Sequence, residues 1–216
     1  NKQKGSVLEK KVLVAFQVLF GKEAQYFESV YETENSRNEH DIIVIYKTNL
    51  LIIECKAQKI RKNIRDVDKA FKRIKSDFKS SIQKADDQAS QLKNLIISQD
   101  KTSLHDKKGN QFVEIDKNKI KNIECICVTY DNEGILSTQL NLFLQKEKEV
   151  NYPYCLNYTD LLQLTEFKNQ LKITPKRFLE FLSQRKKLYE KDIIFSEDEL
   201  DFWGYFLQGG DLTNIN

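Results

Sequence analysis

Apolar residues recur at helical spacing near the start of the chain: Leu8, Val12, Ala15 and Leu19 form one stripe between Gly5 and Phe20, with Lys10 and Lys11 between them. A 3.6-residue repeat puts such positions on one face, so the spacing predicts an amphipathic helix over 5–20. The period then changes. Gln25–Tyr31 has strand character, and Asp41–Tyr46 and Leu50–Ala57 are β-branched apolar runs joined by Lys47-Thr48-Asn49. Two such runs with so short a polar link predict a hairpin. From Lys59 to about Ser98 the pattern is helical again, with Ile82, Ala85, Ala89, Leu92 and Ile96 on one stripe flanked by Gln88 and Gln91.

Beyond it, the polar residues from Gln99 to Gly109 predict a loop, and Ile120–Tyr130 predicts a strand, central in the sheet, ended by the turn Asp131-Asn132-Glu133-Gly134. The last third is expected to be helical. Thr159 or Asp160 can cap Leu161–Leu171, and Thr174-Pro175 supplies a cap and a first-turn proline ahead of Phe178, Phe181 and Leu182. Ser196 can cap a final helix carrying Phe202, Trp203, Tyr205 and Phe206 before Gly209-Gly210. The order helix, strands, helix, strand, helices predicts an α/β fold, a mixed central sheet flanked by helices. Residues 1–150 are expected to form the core, and residues 151–216 a C-terminal helical extension packed on it.

Composition narrows the class. At 216 residues, 40% hydrophobic and 11% aromatic, the chain can bury a substantial core. No stretch approaches the roughly 20 apolar residues of a membrane span. Cys55, Cys125, Cys127 and Cys155 include no C-x-x-C pair, and His40 and His105 are not spaced as a chelating set, which argues against structural zinc. Four cysteines without a signal-like start point to free thiols and a cytoplasmic setting. The chain begins at Asn1 and contains no methionine, which reads as an excerpt of a longer protein with further domains. The net charge of +3 is small, but Lys59, Arg61, Lys62, Arg65, Lys69, Lys72, Arg73, Lys75, Lys79 and Lys84 are clustered against only Asp66, Asp68 and Asp77. Such a run is a solvated helix face unless a phosphate-processing site lies beside it.

One strand carries candidate chemistry. In Leu50–Ala57 the positions Leu50, Ile52, Glu54 and Lys56 share a face, because side chains alternate with period two. A Glu and a Lys at the end of an apolar strand are costly if buried without a partner or metal. Alternatively the strand emerges into solvent at Glu54 and the pair is a surface ion pair. Asp41 opens the preceding strand of the same hairpin and can approach Glu54. Two converging carboxylates suit a hard divalent cation, and Mg²⁺ is the natural occupant because it accepts few protein ligands. Lys56 then stands beside the reacting water. His40, adjacent to Asp41, reads as a polar neighbour or an assisting group. Cys125 and Cys127 read as buried small side chains.

The arrangement Asp41 with Glu54-Cys55-Lys56 resembles the PD-(D/E)xK nuclease superfamily, in the branch related to restriction endonucleases and nuclease-related domains. His40 stands where the family name has proline. Gly5 with Glu9 is similar to a first-helix signature whose glutamate completes the acidic site, and Gln88-Ala89-Ser90-Gln91 resembles the glutamine motif on the helix after the core strands. The resemblance runs from about Gly5 to Tyr130. It implies a restriction-endonuclease-like core and a Mg²⁺-dependent phosphodiester hydrolase, with Mn²⁺ as a substitute. It further implies metal ligation by Asp41, Glu54, the Cys55 carbonyl and Glu9, with Lys56 positioning the water and Gln88 in the site. The basic segment, through Lys59, Arg61, Lys62, Arg65, Lys69 and Arg73, together with Gln91, would bind nucleic acid, DNA ahead of RNA. A homodimer is left open. The competing readings are a catalytically inactive nucleic-acid-binding module of the same fold, and a scaffold that docks through Phe202–Phe206.

Overall fold

The computed structural model of the chain describes residues 2–35, 38–61, 66–146, 152–189, 191 and 196–215. Its strands are β1 (Ala24–Tyr31), β2 (Glu39–Tyr46), β3 (Asn49–Lys56), β4 (Lys101–His105), β5 (Gln111–Asp116), β6 (Asn122–Thr129) and β7 (Tyr154–Asn157). Its helices are α1 (Lys2–Phe20), α2 (Val67–Phe78), α3 (Lys84–Ser98), the short α4 (Ile135–Thr138) and α5 (Leu140–Phe143), then α6 (Tyr158–Glu166), α7 (Pro175–Leu188) and α8 (Glu199–Leu207). The strands form one mixed sheet in the order β5-β4-β1-β2-β3-β6-β7. β1, β2 and β3 run antiparallel in succession, whereas β3, β6 and β7 are parallel, so the C-terminal ends of those three lie along one edge. The expected α/β architecture, a mixed sheet flanked by helices, is what forms.

Burial explains the layers. Leu8, Val12, Ala15 and Leu19 of α1 share one core with Ile42, Val44, Leu51 and Ile53 of the hairpin and with Phe178, Phe181, Trp203 and Phe206 of α7 and α8. On the other face Ala89, Leu92 and Ile96 of α3 pack against Val30, Ile43, Leu50 and Ile52. Successive residues of β2 and β3 therefore enter opposite cores, which is why both strands read as continuous apolar runs. A third cluster joins Phe78, Ile82 and Ala85 to Cys127 and Cys155. The β2–β3 pairing is fixed by Tyr46↔Asn49 across Lys47-Thr48, where Lys47 takes the left-handed conformation (φ 55°) that a two-residue hairpin turn demands.

Several expectations need correction. Residues 99–109 are not a loop: β4 lies within them and pairs with β5, itself absent from the expected element order. β4 is polar because it and β5 lie at one edge of the sheet; of the pair, Leu104 and Ile115 are buried in the apolar core and Val113 packs against it. The last third is not wholly helical, since β7 adds the seventh strand beside β6. The long helix begins at Val67, where Asp66 accepts the Lys69 N–H, and passes through a π-turn at Lys79–Gln83 into α3. α6 is capped by Asn157 rather than Thr159 or Asp160, and ends at Glu166. α8 is capped by Asp198, with Ser196 bonded to the Asp198 backbone. The Thr174-Pro175 start of α7 is as expected.

Candidate active site

The candidate residues meet at the C-terminal end of β3 and the start of β2. Glu54 does not emerge into solvent; its side chain is 0% exposed. Its Oε1 lies 3.0 Å from His40 Nδ1 and its Oε2 lies 3.5 Å from Lys56 Nζ. Lys56 donates a stronger hydrogen bond, 2.8 Å, to Gln88 Oε1 on α3, and Gln88 Nε2 donates to the Glu39 carbonyl at 3.3 Å. The surface ion-pair alternative thus fails on burial. A buried Glu and a nearly buried Lys on one strand face are held by a specific amide on the helix that covers that face.

A backbone irregularity puts two side chains in place. Cross-strand partners share a face, and β1 and β2 pair as Glu28↔Ile42 and Val30↔His40. Ile42 belongs to the α1-side core and Val30 to the α3-side core, so both strands change face between these pairs. The residue between them on β1, Ser29, has φ 50°, a conformation that costs a non-glycine residue on the order of 1 kcal/mol. Because of this change His40 falls on the α3 side, beside Glu54. Asp41 instead accepts the Cys55 N–H through Oδ2 at 2.6 Å, a bond that ties the start of β2 to the end of β3 where regular pairing stops.

Electrostatics reflect crowded negative charge. Burial, then the Glu54 carboxylate, push the Asp41 carboxyl from 3.8 up to about 7, against the Cys55 N–H and Lys56, which favour the anion. Burial and the charges of Glu39 and Glu54 likewise raise Glu9 on α1 above its ordinary value, with Lys56 opposing. Glu9 is therefore within electrostatic reach of the site rather than an ordinary helix-surface glutamate. His40 is fully buried. Burial disfavours its charged form, but the facing carboxylates of Glu54 and Glu32 outweigh that, and its pKa is raised. Burial first, then Asp41 and Glu9, raise the Cys55 thiol well above its usual value, so Cys55 offers the site its backbone, not a thiolate.

Glu32, which no sequence motif marks, completes the buried polar cluster. Its Oε1 lies 3.1 Å from His40 Nε2, and its Oε2 accepts from Gln91 Nε2 at 2.9 Å. Gln91 therefore bonds a carboxylate at the back of the site. The spacing of Glu32, His40 and Glu54 carries no signal, because the contact depends on the change of face between Ile42 and His40.

The basic residues are placed less simply. Lys59 pairs with Asp131, Arg61 with Asp77 and Lys69 with Asp66. Arg73 is exposed on α2, as are Lys72 and Lys75. Lys62 and Arg65 lie outside the described residues. Among the described residues no three His, Cys, Asp or Glu side chains form a ready-made metal-ligand set. Oxygen donors are nonetheless present: Asp41 keeps Oδ1 beside the bonded Oδ2, Glu54 Oε2 makes a long contact to Lys56, and Glu9 is close enough to feel the Glu54 charge and to act on Asp41. Hard oxygens with unrelieved mutual repulsion fit a small cation that takes one or two carboxylates and completes its shell with water, rather than a full protein cage.

A family model for the nuclease-related domain matches residues 4–129, more than half of the chain. The chain belongs to the nuclease-related domain family. The matched residues run from the first turn of α1 to the last residue of β6 and include Glu9, Asp41, Glu54, Lys56, Gln88 and Gln91. No curated protein and no solved structure matches the chain. No helix among the described residues of this nuclease-related domain protein is long and apolar enough to cross a membrane.

Proposed function

We propose that this nuclease-related domain protein is a Mg²⁺-dependent nuclease of the PD-(D/E)xK type that hydrolyses phosphodiester bonds, in DNA ahead of RNA, by direct attack of water. The observation that carries this reading is the convergence of Asp41, Glu54 and Lys56 at one strand end, with Lys56 held at 2.8 Å by Gln88. Asp41 and Glu54, with Glu9 and the Cys55 carbonyl nearby, would hold the cation, and Mn²⁺ would substitute. When bound, the cation supplies Lewis-acid polarisation of the phosphate and neutralises charge that grows in the transition state.

The chain's own groups account for the remainder. Lys56, on a short tether to Gln88, keeps its ammonium at the mouth of the site. There it can orient the attacking water and stabilise the developing negative charge on the phosphoryl oxygens. Gln88, bonded also to the Glu39 carbonyl, stops Lys56 from collapsing fully onto Glu54. The exposed Lys72, Arg73 and Lys75 of α2 would track the phosphate backbone without reading sequence. The test is cleavage of single-stranded and duplex DNA and RNA with Mg²⁺ or Mn²⁺. Binding without cleavage under both metals would instead favour the inactive nucleic-acid-binding module.

A further inference from the structure

We propose that Glu32 and His40 are a positioning pair that locks the orientation of the Glu54 carboxylate for cation binding, an inference that rests on the metal-dependent reading above. Three observations carry it. First, the terminal torsion of a glutamate is broad and roughly two-fold, so an unrestrained Glu54 carboxylate would sweep its oxygens through many orientations. His40 Nδ1, 3.0 Å from Oε1, removes that freedom and leaves Oε2 on the side of Lys56.

Second, the His40 ring is tied at its far nitrogen, to Glu32 Oε1 at 3.1 Å, and Glu32 is tied in turn by the Gln91 amide at 2.9 Å. Gln88 and Gln91 stand three residues apart on α3, so they share one helix face. The chain Gln91, Glu32, His40, Glu54, Lys56, Gln88 therefore starts and ends on the same helix, and each of the four residues between the two glutamines is held from two sides. Third, this arrangement is expensive to build. An imidazole and a carboxylate with no exposure, and a second carboxylate only 9% exposed, occupy a region that apolar side chains would fill with less desolvation penalty. It also depends on the change of face in β2 between Ile42 and His40, since regular alternation would put His40 with Ile42 on the α1 side. Groups that orient metal ligands typically matter by about 10–100-fold in metal affinity.

The experiment is Mn²⁺ binding to the full chain, by calorimetry or by loss of the free-ion electron paramagnetic resonance signal, with thermal unfolding as the check on folding. Glu32→Gln and His40→Leu are expected to weaken Mn²⁺ binding by about 10–100-fold. His40→Asn, whose amide can replace the Nδ1 donor, should recover part of that loss, and Gln91→Leu should cause a smaller one. At saturating Mn²⁺ these variants should regain turnover, whereas Lys56→Ala should not, a split that a general loosening of the fold would not produce. Wild-type Mn²⁺ affinity in folded His40→Leu overturns the proposal. If His40→Leu does not fold, unchanged affinity in both Glu32→Gln and Gln91→Leu overturns it equally. Absence of Mn²⁺ binding and cleavage in the wild type is a different result, which defeats the metal-dependent reading and this proposal with it.

Discussion

Asp41→Asn should stabilise the metal-free protein while abolishing its activity, and the size of the effect follows from the site's electrostatics. The Asp41 carboxyl titrates at about 7 in the fold against 3.8 as its ordinary value, because burial and then Glu54 oppose its charge. A folded-state value above the unfolded one means that the native state binds the proton more tightly. Stability is therefore fully present below about pH 4, declines as pH rises through the window from 3.8 to about 7, and is flat above it. At about 1.4 kcal/mol per pKa unit the difference amounts to an upper limit of about 4 kcal/mol above pH 7. The amide would retain an oxygen to accept the Cys55 N–H but lose the charge assistance of that bond, which offsets about 1 kcal/mol. Urea unfolding in chelator is thus expected to find Asp41→Asn more stable than wild type by about 1–3 kcal/mol at pH 8, with the gap closing near pH 4. Added Mg²⁺ should narrow the gap at pH 8, since a ligand that binds only the native state stabilises it by mass action. A variant equal to or less stable than wild type in chelator at pH 8 would refute the idea that the site stores unrelieved negative charge.

Other consequences are separable from that one. Arg185 is buried, bonded through Nε and Nη2 to Glu199 and through Nη2 to the Thr138 carbonyl, and lies 4.1 Å from the Phe202 ring centroid. Glu199→Ala should therefore cost about 3–5 kcal/mol in chemical denaturation, and the double replacement Arg185→Met with Glu199→Leu should recover most of it. Burial, then Asp198 and Glu199, raise the Asp160 carboxyl to about 7. By the same sign argument it lowers stability as pH rises from 3.8 towards 7, so Asp160→Asn should flatten the pH dependence of the melting temperature across that window. Gln88→Ala frees the Lys56 ammonium and is expected to lower kcat about tenfold with little change in melting temperature; an unchanged kcat would remove Gln88 from the site. If Lys72, Arg73 and Lys75 track phosphates, replacing all three by alanine should lower the slope of log affinity against log salt by about one per lost contact.

How much of this was legible in the sequence depended on periodicity and burial. The stripes of α1 and α3 and the runs of β2 and β3 face deep cores, so their patterns are strong, and the Glu54, Lys56 and Gln88 positions could be placed by counting along them, whereas Asp41 lies where the regular β2–β3 pairing has ended. β4 and β5 lie at a sheet edge and bury little, so a polar composition with a Gly109-Asn110 turn resembled a loop. β7 has only four residues, all buried, too short a run to show any period. The cap of α6 falls on Asn157, the last residue of that short strand, which carries no helical signal of its own. Within the site, the Glu32–His40–Glu54 contacts were illegible. Alternation along a regular strand puts His40 on the face of Ile42, and β2 changes face between those two residues. The basic segment was legible as a charge cluster but not in its pairings, because Asp131 and Asp77 reach Lys59 and Arg61 through the fold.

Hydrolysis at the Asp41, Glu54 and Lys56 site is open to a direct test. The most direct measurement compares cleavage of single-stranded and duplex DNA by wild type, Asp41→Ala and Lys56→Ala, each folded, with Mg²⁺, with Mn²⁺ and with chelator. Cleavage is expected only from the wild type and only with a divalent metal, with losses of at least about 100-fold in both variants. Equal cleavage by all three proteins, or cleavage that persists in chelator, would contradict it.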